Sequence, residues 1–360
     1  MKSSSAYQQT DSRVQACLAD PQQHTVCTHM WEQQSYPHLS ERANAAIQDK
    51  ELRGVMGVIC GVEGALYDDT HYSQGPPFTY RHQRHDPDHG MIGLSLSAMH
   101  PRKAIPPYFV GTQTGLLLVD PELVFVSAFD ASSLYFDSPT PPATMDEGND
   151  PQSGYVHVFN TARSHFVNYQ RGEKDRELCR ELIRIQFPDW DEKHEPEYIN
   201  VDPKCAMQHQ RAKAAMQHLM KHYDADEQKD FTYNEAPANI RPEHVAGIVV
   251  KGKGLAEKLG EHLHADGSVN WRAFLSKDGK TNKETLMLAR EMAVALKQVD
   301  LVQRYFRDYQ AGHPDKPLMA PSIFICDETA DRKLLHFPPT RENRKLVAET
   351  LKQQEQAYRD

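Results

Sequence analysis

Five histidines, His71, His82, His85, His89 and His100, fall within thirty residues, with Asp86 and Asp88 between them. Imidazole and carboxylate are ligands for divalent transition metals, so a mononuclear hydrolase is one chemistry to weigh. Ligands carried on one element need helical i,i+4 or strand i,i+2 spacing with rigid support. Pro87 and Gly90 predict a loop here, and a solvated His-rich loop is the reading preferred. Cys17, His24, Cys27 and His29 fit no common zinc spacing, and no metal site is expected. Cys205 and Arg211 satisfy a C-x5-R spacing. The segment lacks the glycines with which a phosphate-wrapping loop exposes its N–H groups, and its pattern is helical.

Two other segments carry chemistry when taken together. One, from His89 to Asp120, contains a strand ending in Ser95-Leu96-Ser97, a stretch able to carry a short helix, and a Gly-led apolar strand. The other, from Phe231 to Gly252, is a short strand entering Asn234-Glu235, a Pro-containing turn, and a final apolar strand. A carboxylate at the mouth of one strand and hydroxyls on another can converge on a cleft between sheets.

Together these residues resemble the ADP-ribosyltransferase toxin fold. The resemblance rests on the Ser95-x-Ser97 strand, and more specifically on Tyr233-Asn234-Glu235 followed by Ile240-Arg241-Pro242-Glu243-His244-Val245-Ala246-Gly247-Ile248. It covers about residues 25–252. It implies an α+β core built on a split mixed or antiparallel sheet, NAD as substrate, and transfer of ADP-ribose to a protein or small-molecule acceptor. Glu235 would be the catalytic carboxylate, bonding the ribose 2′-OH and stabilising an oxocarbenium-like transition state. Ser95, Ser97 and Asn234 would support the NAD site. Arg53 and His29 compete to hold the NAD ribose or phosphates, with Arg53 preferred, and Arg81 is a third position. The resemblance also implies a bacterial effector acting in host cytoplasm. Tyr233 stands two before the glutamate, where arginine-modifying members often carry Glu or Gln, which points to another acceptor or to NAD hydrolysis. The alternatives are a metal-dependent hydrolase on the histidine-rich segment and a non-catalytic interaction protein on the same fold.

The elements needed to hold these groups are legible as texture. Short apolar runs bounded by Gly and Pro predict strands at 55–60, 91–97, 115–119, 123–129, 155–159, 245–251 and 322–326. Helical periodicity predicts helices at 39–48, 176–187, 205–223, 284–309 and from Arg341 onward. Thr281 and Glu284 have capping-box spacing at the start of the fourth. Glu235 lies 138 residues after Ser97, so a helical insertion at about 171–223 is expected within a catalytic domain over 1–252. Residues 253–360 are expected to form a mainly helical C-terminal domain.

The 360 residues carry 41 Lys+Arg against 50 Asp+Glu, a net charge of −9. That balance argues against general nucleic-acid binding, which needs a cationic excess to release counterions. No apolar run reaches the roughly 18 residues of a membrane span, and the first residues lack the apolar core of a secretory signal peptide. Six scattered cysteines without a CxxC predict reduced thiols.

Overall fold

The computed structural model describes residues 2–20, 22, 25–28, 84–86, 90–94, 96–99, 114–129, 156–159, 173–191, 198–225, 234–252, 262–265, 268–276, 283–327 and 334–357. They form an α+β fold on a mixed sheet. Its strands are β1 (Thr25–Thr28), β4 (Leu96–Met99), β5 (Thr114–Val119), β10 (Val245–Gly252), β11 (Ser322–Asp327) and β12 (Leu334–Phe337), in the order β12-β11-β10-β5-β1-β4. Only the β10–β11 pair is parallel. A smaller sheet joins β2 (Arg84–Asp86), β3 (Gly90–Leu94), β9 (Ala238–Ile240) and β6 (Glu122–Leu123) in the order β2-β3-β9-β6. Strands β7 (Val156–Phe159) and β8 (Tyr198–Val201) pair separately.

The large sheet is covered on both faces, and its side chains alternate between two cores. Leu116, Leu118, Ile248, Val250, Ile323 and Ile325 enter one core. Leu117, Val119, Val249, Phe324 and Cys326 enter the other. Burial on both faces explains why these strands are continuous apolar runs rather than apolar-polar alternations. Helix α5 (Lys283–Gly312) lies against β10 and β11, contributing Met292, Val299 and Val302 to the first core. Helix α1 (Lys2–Ala19) covers the other face with Val14 and Cys17. The polar first fifty residues gave no sign of α1 in the texture reading. Its only signal is Thr10, Val14 and Cys17 at helical spacing, all buried.

Several expected elements take a different form. The run 91–97 is not one strand: β3 ends at Leu94 in the small sheet and β4 begins at Leu96 in the large one. Residues 84–86 and 90–94 are strand rather than loop, since β2 and β3 pair antiparallel with His85 opposite Met91. The Pro-containing turn expected between Glu235 and the last apolar strand is the 3-10 turn Pro242–His244, with β9 (Ala238–Ile240) formed before it. Met287 does not join the buried stripe of α5; it is 46% exposed. The expected elements at 39–48 and 55–60, and Thr281 with Asn282, lie outside the described residues.

The run 123–129 is strand only at Leu123, yet all of it is buried. Helices α2 (Glu173–Gln186) and α3 (Ala206–Ala225) supply what a neighbouring strand would. The Val126 N–H donates to Gln186 Oε1 at 2.8 Å, and Gln186 Nε2 donates back to the Val126 carbonyl at 2.9 Å. Gln208 Nε2 donates to the Val124 carbonyl at 3.0 Å. Both glutamines are buried, so an apolar substitute would leave backbone groups unpaired, at about 1–3 kcal/mol each. The helices expected as an insertion over 171–223 are therefore bonded into the core.

The boundary expected at 252/253 does not separate two cores. β11 and β12 extend the same sheet as β5 and β10, and one hydrophobic cluster runs from Leu96 to Val347. A side-by-side pairing of β10 with β11 is not visible in helical texture, which dominates the last hundred residues.

Gly247 permits that pairing. It sits at φ +147°, in a region that disfavours side chains, and an added Cβ would lie 1.9 Å from the Ser322 carbonyl oxygen. The ladder with β5 is irregular between Val245 and Gly247. Gly247→Ala is expected to cost about 3 kcal/mol or more through clash and strain together. Urea unfolding would measure it, and a loss below about 1 kcal/mol would refute the close approach.

Candidate functional site

The Asn234-Glu235 segment runs between two others. On one side it forms a β-bridge with Ser127: the Ser127 N–H donates to the Glu235 carbonyl at 2.8 Å, and the Glu235 N–H donates to the Ser127 carbonyl at 3.1 Å. On the other side it meets β4. The Ala236 N–H donates to the Leu96 carbonyl at 2.7 Å. The Ser97 hydroxyl donates to the Asn234 carbonyl at 3.1 Å.

The Asn234 side chain extends the contact with β4. Its Oδ1 accepts the Ala98 N–H at 2.8 Å, and its Nδ2 lies 3.4 Å from the Ala98 carbonyl. A carboxamide has the same donor-acceptor pair as a peptide group, so Asn234 replaces a strand partner. Its position in the small set of cofactor contacts expected from sequence is thus overlaid by a structural role in joining segments.

Of the residues singled out beforehand, the structure brings together Ser97, Asn234 and Glu235. All three are buried, Glu235 to 1% exposure. A carboxylate at that depth survives only with compensating contacts, because desolvation disfavours its charged form. Arg53, His29, Ser95 and Arg81 lie outside the described residues, as does Tyr233.

The rest of the Glu235 signature serves the fold. Pro242–His244 form a 3-10 turn. The Arg241 N–H donates to His244 Nδ1 at 3.1 Å, so this nitrogen carries a lone pair and His244 is held as the Nε2–H tautomer. Glu243 lies 3.4 Å from Lys316 Nζ, and Arg241 Nη2 lies 3.5 Å from Glu122. Burial pulls the Lys316 ammonium down, but Glu243 and the Tyr309 hydroxyl outweigh it and hold it above the usual lysine range. The signature glutamate at 243 thus ties the catalytic-candidate segment to the C-terminal residues.

The histidine-rich segment contributes only His85 and Asp86 to the described residues, adjacent on β2. Among the described residues no three His, Cys, Asp or Glu side chains converge as metal ligands. Cys17 packs in the core under α1. Cys205 precedes α3, and Arg211 lies within that helix. Cys17, Cys179 and Cys326 are buried, and Cys205 is half-buried.

One constellation had no signal in sequence. Asp11 of α1, His336 of β12 and Ser322 of β11 form a line: His336 Nδ1 lies 3.6 Å from Asp11 Oδ2, and its Nε2 lies 3.1 Å from Ser322 Oγ. The order is that of a nucleophilic triad. Ser322 is 0% exposed, as buried as Glu235, and its hydroxyl is engaged by His336. The line ties α1 to the sheet, along with Thr10 Oγ1 donating to the Ala320 carbonyl at 2.9 Å. More than 300 residues separate Asp11 from its partners, which is why no local motif reveals them.

No protein-family model matches the chain, and neither a curated protein nor a solved structure matches it. No described helix is long and apolar enough to cross a membrane. The class defined by fold and site is a mixed-sheet α+β protein with a buried Asn-Glu segment bonded to a serine-bearing strand.

Two outcomes are expected. Asn234→Ala should cost about 2 kcal/mol in urea unfolding, because it strands the Ala98 N–H; no loss would refute the bonding role. Burial lowers His336 below its ordinary 6.5, with Asp11 opposing to a smaller extent. The unfolded chain then binds the proton more readily, so stability is full above pH 6.5 and lost as pH falls through the lowered folded value. His336→Gln should flatten that acid limb of a melting-temperature profile, and an unchanged profile would contradict the assignment.

Proposed function

We propose that the chain is an NAD-dependent ADP-ribosyltransferase in which Glu235 is the catalytic carboxylate. One observation carries the reading: Glu235, 1% exposed, is fixed by backbone bonds to Ser127 and lies next to the residue that bonds Leu96, on the serine-bearing strand. The Asn-Glu pair and the strand that carries Ser97 are neighbours in space although 137 residues separate Ser97 from Asn234. The two sheets, with β3 in one and β4 in the other, suit a split-sheet core of this type.

In this reading the nicotinamide leaves NAD with the electron pair of the C–N bond, and positive charge develops on the ribose. Glu235 accepts a hydrogen bond from the ribose 2′-OH and offsets that charge. The acceptor nucleophile then bonds the anomeric carbon and loses its proton. Ser95 and Ser97 support the ribose site, and Arg53 or His29 neutralises the phosphates. The acceptor is a protein or small molecule, and water in its place gives NAD hydrolysis. An effector role in a host cell belongs to the same reading.

The test is release of nicotinamide from labelled NAD by the full chain. Glu235→Gln keeps the size of the side chain and is expected to reduce release by at least about 100-fold, with the melting temperature within a few degrees of wild type. Arg53→Ala and His29→Ala separate the phosphate-binding alternatives by which of them raises KM. Release unaffected in Glu235→Gln, or absent from the wild-type chain, would overturn the proposal.

A further inference from the structure

A cavity of about 740 Å³ opens between α1, the C-terminal part of α5 and the connection 317–320. None of its lining residues belongs to the 96–98, 127 or 234–236 segments. The volume falls in the range of small-molecule sites, roughly 300–1,000 Å³. Its chemistry is one-sided. Arg13 from α1 and Arg307 from α5 both line it, and no carboxylate among the described residues does.

Neither guanidinium has an ion pair or hydrogen bond among the described residues, in a chain whose net charge is −9. Two positive charges thus line one cavity.

The cavity also has an apolar floor, formed by Phe306, Leu318 and neighbouring residues. Phe306 and Met319 are buried in the two cores on either side of the sheet, so this floor is rigid. Gln9 and Gln310 add amides at the rim. Gln310 is itself held by donation from Nε2 to the Lys316 carbonyl at 2.7 Å. Planar guanidinium groups match phosphate oxygens bidentately. A phosphate monoester carries close to two negative charges at neutral pH, which two arginines balance, whereas a single carboxylate would leave one in excess.

We propose that this cavity is a binding site for a phosphate monoester carried on an apolar or aromatic body. Arg13 and Arg307 receive the phosphate, and the body lies on the Phe306–Leu318 floor. The site does not depend on the transferase reading, since it uses other residues and other elements.

The test is calorimetric titration of the full chain with 1-naphthyl phosphate, inorganic phosphate and 1-naphthol. Saturable binding of 1-naphthyl phosphate is expected, weakened by added salt. The Arg13→Gln/Arg307→Gln double variant should raise its Kd by about tenfold or more, at an unchanged melting temperature because both side chains are exposed. Ala311→Trp, at an exposed lining position, should block the cavity and weaken binding with both arginines intact. Absence of saturable binding overturns the proposal, as does an affinity indifferent to both arginines. Equal binding of inorganic phosphate removes the role of the floor, and equal binding of 1-naphthol removes that of the phosphate; either result overturns the ligand class proposed.

Discussion

The backbone of Ala98 is bonded by the side chain of Asn234, and much of the arrangement around Glu235 depends on that substitution of a carboxamide for a peptide group. β4 begins where the chain leaves the small sheet for the large one, and β9 begins four residues after Asn234 on the way back. At such a crossing the strands diverge, and backbone groups lose their neighbours. A buried N–H or carbonyl without a partner is costly in a way that no nearby apolar contact repairs. Asn234 closes the gap on one side, and the Ser127 bridge closes it on the other. Glu235 is carried between them, held by its own backbone bonds to Ser127 and by the bonds of Asn234 and Ala236 to β4.

The same device recurs away from the site. Gln186 and Gln208 bond the backbone of 124–126 from two helices, so a buried extended segment is satisfied by side-chain amides. Helices that a linear reading assigns to an insertion are for this reason part of the core. They cannot be removed without exposing peptide groups that β6 alone does not cover.

A second dependence runs through β10. It lies between β5 and β11, with residues 245–250 buried, and it unites the N-terminal strands with the C-terminal ones. Gly247 makes the approach to Ser322 possible, and Ser322 in turn meets His336 and so Asp11. The Glu243–Lys316 contact adds another link to the same region. Residues of the sequence signature that do no chemistry therefore have structural tasks: Gly247 in packing, His244 in the turn, and Glu243 in an ion pair.

What the amino-acid sequence determined by itself was local. The apolar runs at 115–119, 245–251 and 322–326 become strands, and the periodic segments at 176–187, 205–223 and 284–309 become helices, because period and propensity act within a few residues. The pairing of an Asn-Glu segment with a Ser-x-Ser strand was legible only through resemblance, since no local pattern links residues 97 and 234. Helix α1 was hidden because Thr10, Val14 and Cys17, its buried positions among residues 5–19, give little periodic signal. Tertiary structure alone decided that 91–97 divides between two sheets, that β10 lies parallel to β11, and that Arg13 and Arg307 open on one cavity. Each of these depends on which distant backbone or side chain comes close enough to bond or exclude water, and sequence spacing carries no information about that distance.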